Sequence, residues 1–60
     1  MIRDIDYRNP DTDETIEKVT ADGCVPERSD HVVIHGTKYI VRGRRFEYGK
    51  GIVVVFIDVK

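Results

Sequence analysis

Near the start of the chain Ile5 and Tyr7 alternate with Asp4, Asp6 and Arg8, the period of two that sets one face of a strand on a core and the other in water. A first strand is predicted over residues 2–8. Asn9-Pro10-Asp11-Thr12-Asp13-Glu14 follows, where proline fixes one torsion and Asn and Asp side chains bond back to their own backbone, so the chain should reverse. Residues 15–20, with β-branched Thr15, Ile16, Val19 and Thr20, read as the returning strand. A short helix at about residues 12–22 is the rival: Asp11 and Glu14 have capping-box spacing, and Gly23 offers a stop. Its apolar stripe, Ile16 and Val19, is too thin to anchor a helix. Residues 21–30 lack periodicity and make a loop. Residues 31–35 read as a strand, Gly36-Thr37 as a tight turn, and residues 38–42 as its return, with Tyr39 and Val41 on one face. Gly43 marks a bulge or bend. Residues 45–48 alternate again, Gly49-Lys50-Gly51 is a turn, and residues 52–59 form the final strand.

That last segment does not alternate. Val53, Val55, Ile57 and Val59 share one face, while Ile52, Val54 and Phe56 share the other. Burying one such side chain is worth about 1.5–3 kcal/mol, so leaving the second face wet forfeits several kcal/mol. Something must cover it: the N-terminal hairpin with Ile5, Tyr7, Ile16 and Val19, a second copy of the chain, or a foreign protein. The pattern as a whole implies an all-β domain, a small barrel or a bent antiparallel sheet of five or six strands joined in sequence order. An α+β fold with the short helix is the alternative.

Size sharpens this picture. Sixty residues make one domain that buries a small share of its surface. The single cysteine, Cys24, excludes an internal disulfide and fits a reducing compartment. No segment has the length of a membrane helix, and the N-terminus lacks a signal-peptide layout, so a cytoplasmic protein without a membrane partner is expected. The net charge of −1 conceals a division. Residues 1–30 carry four basic against nine acidic side chains, and residues 31–60 carry six against two. Either the halves attract each other at the surface, or the polar molecule meets a complementary partner.

Candidate chemistry is sparse. His31 and His35 are four apart, which on a strand separates them by more than about 10 Å. One metal cannot bridge them, and they read as strand-edge histidines in solvent. Cys24 has no nameable base and orienting group, and Gly49-Lys50-Gly51 lacks the length and helix of a phosphate loop. No enzyme activity, cofactor or metal is therefore expected. The basic group Lys38, Arg42, Arg44, Arg45 and Lys50, with Tyr39, Phe46 or Tyr48 nearby, suits single-stranded nucleic acid, where bases stack on rings and phosphates meet arginines. It also suits solubilising charge that guards a strand edge.

Residues 30–56 contain Asp30-His31-Val32-Val33-Ile34-His35-Gly36, an apolar strand and a Gly turn, then Tyr39-Ile40-Val41, Arg45-Phe46-Glu47-Tyr48 and Val53-Val54-Val55. This pattern resembles small β-rich accessory proteins encoded by bacteriophages. The resemblance implies an SH3-like or related small β fold and a role in binding and blocking a host or defence protein. It carries no functional residue with it, because the matched positions are those that make strands. The function expected is a non-catalytic binding module whose partner is another protein, with a homodimer as a further expectation. Ile52, Val54, Phe56, Tyr39 and Tyr48 are its candidate contacts. Nucleic-acid binding through Lys38, Arg42, Arg44, Arg45 and Lys50 is the alternative.

Overall fold

In a computed structural model, which describes residues 2–21 and 25–59, the chain forms β1 (Asp4–Arg8), β2 (Thr15–Thr20), β3 (His31–Ile34), β4 (Thr37–Glu47) and β5 (Ile52–Val59). They make one five-stranded sheet in the order β2-β1-β5-β4-β3, which curls into a half-barrel around an apolar face. The small, bent, mostly β domain expected from the hydrophobic pattern is what forms. No helix occurs among the described residues, so 15–20 is strand and the capping-box spacing goes unused.

Two details differ from expectation. β1–β2, β3–β4 and β4–β5 pair antiparallel, but β2 and β3 do not pair and lie at opposite edges, and β1 and β5 pair in parallel, from Asp4 opposite Ile52 to Arg8 opposite Phe56. The sheet is mixed because the first and last strands have the whole intervening chain as their crossover. The Gly51 carbonyl starts this ladder, accepting from the Arg3 and Asp4 N–H groups. The residues around Gly43 make one strand of 11 residues, not two; the register shifts between Val41 and Gly43 and the strand runs on. The preceding turn sits one residue earlier than predicted. His35 and Gly36 take φ of 51° and 81° between the paired Ile34 and Thr37, the positive angles that a two-residue hairpin turn needs.

The strand directions put the end of β2 and the start of β3, the two edge strands, at the same end of the sheet. At the other end His35 Nε2 lies 2.7 Å from Glu17 Oε2 and ties the β3–β4 turn to β2. The curled face holds Ile5, Tyr7, Val41, Val53, Val55 and Ile57, with Ile2, Ile16, Ala21, Val25, Val32, Ile34 and Tyr39 against them. Ile16 reaches this core because the β1–β2 register shifts there, opposing Arg8 to Thr15 and Tyr7 to Glu17. Val59, predicted to be core, is 65% exposed at the strand's end.

Candidate functional site

The outer face of the sheet answers what covers the last strand. Cross-strand register lines up Lys18, Asp6, Val54 and Arg45 in one row. Val54 is 0% exposed within a single chain, while Ile52 and Phe56 beside it are half-buried. Long side chains laid over the strands close this face. Arg8 donates from Nε to Asp6 Oδ2 at 2.9 Å and places Nη2 2.8 Å from the same oxygen. Arg45 sets its guanidinium 5.6 Å from the Phe56 ring centre, against a Gly43 that leaves space beside the ring. The N-terminal hairpin thus contributes Asp6 and Arg8 to the cover, not the apolar residues predicted for it. Asp6, expected in water by alternation, is 5% exposed, because β1 is paired on both sides. The bond to Asp6 raises the Arg8 pKa, and burial raises that of Tyr7.

The basic candidates divide between two faces. Arg42 is 3.3 Å from Asp58; Arg45 and Lys50 share Glu47, at 3.0 and 3.4 Å. The Arg45 hydrogen bonds, with Lys50 nearby, hold the Glu47 carboxyl below its ordinary pKa. Lys38 stands opposite Val33 toward the outer face, whereas Arg44 stands opposite Val55 on the other side of the sheet. One continuous strip of five cations does not form. Of the five residues proposed to meet a partner, Ile52 and Phe56 remain partly open on the outer face, and Val54 has no surface to offer. Tyr39 lies near the start of β4, and Tyr48 follows its last residue. His31 and His35 are exposed, and no cluster of metal-ligating side chains occurs among the described residues. Cys24 lies outside those residues.

What the structure does assemble is a ladder that runs along the C-terminal half of β4 and onto the residue after it. Arg44, Phe46 and Tyr48 follow one another at the two-residue period and stack on the side opposite Arg45. The Arg44 guanidinium lies 5.3 Å from the Phe46 ring centre, and the Phe46 and Tyr48 rings are 5.8 Å apart and 9° from parallel. Both rings are exposed, at 41% and 69%. Alternation in Arg44-Arg45-Phe46-Glu47-Tyr48 is the sequence signal for this ladder, since it sets Arg44 apart from the neighbouring Arg45.

Comparison with family models, curated proteins and solved structures finds no match for this chain.

Proposed function

We propose that this chain is a non-catalytic binding module whose partner is another protein, held on the Arg44–Phe46–Tyr48 side of β4. The observation that carries the reading is the pair of exposed, mutually stacked rings capped by an arginine. Aromatic and arginine side chains are the residue types that dominate protein interfaces, because they bury large rigid area at little entropic cost. Here the stack forms within the single chain, and contacts already in place lower the cost of binding further. The resemblance of residues 30–56 to phage accessory proteins extends the proposal to a host or defence protein as the target, blocked by occupation. The same rings and Arg44 also favour stacked bases of single-stranded nucleic acid, which is the second reading.

A photo-crosslinking side chain at position 48, compared with one at Thr12 in the β1–β2 turn, tests the site. A single protein captured from position 48, and lost when Phe46→Ala or Arg44→Ala is added, is the expected result. Capture from Thr12 only, or capture of nucleic acid, refutes it.

A further inference from the structure

The ladder stands beside an open strand edge. β3 covers only Thr37–Ile40 of β4, and Ser29 and Asp30 add bonds to the Val41 carbonyl and N–H at 2.9 and 2.8 Å. There the chain turns away. The Asp30 N–H donates to the Glu27 carbonyl, Asp30 Oδ2 accepts from the Glu27 N–H, and Ser29 takes φ of 77°. Among the described residues nothing pairs with the remaining length, 42–47, on the side away from β5.

Ladder geometry says which groups this edge presents. Both polar backbone groups of Val41, opposite Ile57, point away from β5. Such pairs alternate along an antiparallel ladder, so Arg44 opposite Val55 and Phe46 opposite Val53 present theirs to the same side. The residues with outward N–H and C=O groups are therefore those whose side chains form the stack.

We infer that this edge takes an extended peptide as an added strand, and that the peptide is acidic. The inference rests on the protein-binding reading above and names its occupant. Added strands gain affinity from main-chain bonds and specificity from alternate side chains, and the edge supplies both on the same residues. Arg42 pairs with Asp58, and Arg45 and Lys50 share Glu47, whereas Arg44 stands in the stack with no carboxylate paired to it among the described residues, so a carboxylate on the incoming strand beside Arg44 is favoured. A second copy using the same edge would set these arginines against one another, and like charges directly opposite across a ladder repel.

The test is a nuclear magnetic resonance titration of the full chain with three probes. These are a blocked peptide of about six residues alternating Glu and Val, long enough to span the edge, its Lys-for-Glu counterpart, and an oligothymidine of similar length. The acidic peptide should shift the Arg44 and Phe46 amides, slow their hydrogen exchange about tenfold or more, and bind about tenfold tighter than the lysine peptide. Arg44→Glu, an exposed change, should reverse that preference. Acidic-peptide binding without slowed exchange at Arg44 and Phe46 overturns strand addition. If no peptide binds while capture from position 48 persists, the acidic occupant is overturned and the protein-binding reading stands. Tighter binding of oligothymidine overturns both.

Discussion

Asp6 and Arg8 share a face two residues apart on a strand paired on both sides, and neither is in ordinary water. Arg8 satisfies only Asp6 Oδ2; Oδ1 is buried without a protein donor. Removing a partner from such a pair costs more than never having the pair, because the remaining charge stays desolvated. Arg8→Met should therefore cost about 3 kcal/mol in urea unfolding, and adding Asp6→Val should recover most of it. If the double variant is no better than the single, the pair is a source of net stability. Glu47 offers a test in pH. Its pKa is lowered in the fold by the hydrogen bonds from Arg45, so its contribution is complete above the unfolded carboxylate value of about 4.3 and disappears as pH falls through the lower folded value. The stability difference between the native protein and Glu47→Gln should be constant near neutrality and shrink toward zero in acid. A difference that grows in acid would contradict the assignment.

At the scale of elements, strand positions were legible because period two is a strong signal in short segments. β2 and β5 begin and end where the pattern places them, and the Asn9 turn closes as its chemistry requires, with Asn9 Oδ1 accepting from the Asp11 N–H at 2.8 Å. Pairing order was not legible, since the parallel β1–β5 contact depends on residues far apart in the chain. The fate of the Ile52, Val54 and Phe56 face depended on that order. Only when β1 and β4 flank β5 do Arg8 and Arg45 come to lie over it, and such snorkelling stems carry no hydrophobic signature in sequence. The arrangement separates two substitutions that the sequence treats alike. Val54→Asp places a carboxylate in an enclosed site beside Asp6 and should abolish folding, a loss above about 4 kcal/mol. Phe56→Asp, at a half-buried position, should leave a folded chain weakened by about 1–2 kcal/mol. Circular dichroism melts of the two variants check this, and equal losses would mean that Val54 is not enclosed in solution.

For the whole molecule the decisive feature is where the charges pair. Arg8 with Asp6 and Asp13 lies within the acidic half, and Arg42–Asp58, Arg45–Glu47 and Lys50–Glu47 lie within the basic half. Among the described residues only His35–Glu17 crosses between them. The halves therefore form few ion pairs with each other, and the molecule keeps the acidic β1–β2 hairpin at one edge of the sheet and the basic run of β4 toward the other, with Glu27 and Asp30 beside the start of that run. Such a dipolar body steers a charged partner, and it can also meet copies of itself head to tail, a contact that does not close. Because Val54 is enclosed by its own chain, no second copy is needed to cover the last strand. Light scattering at micromolar concentration and physiological salt should give the single-chain mass of 6.9 kDa. At low ionic strength, where the screening length grows to about 30 Å and the two charged sides act at longer range, mass should rise without settling at an integer multiple, and salt should reverse it. A dimer insensitive to salt would instead put a second copy on the half-open Ile52 and Phe56, and would make that face the interaction surface.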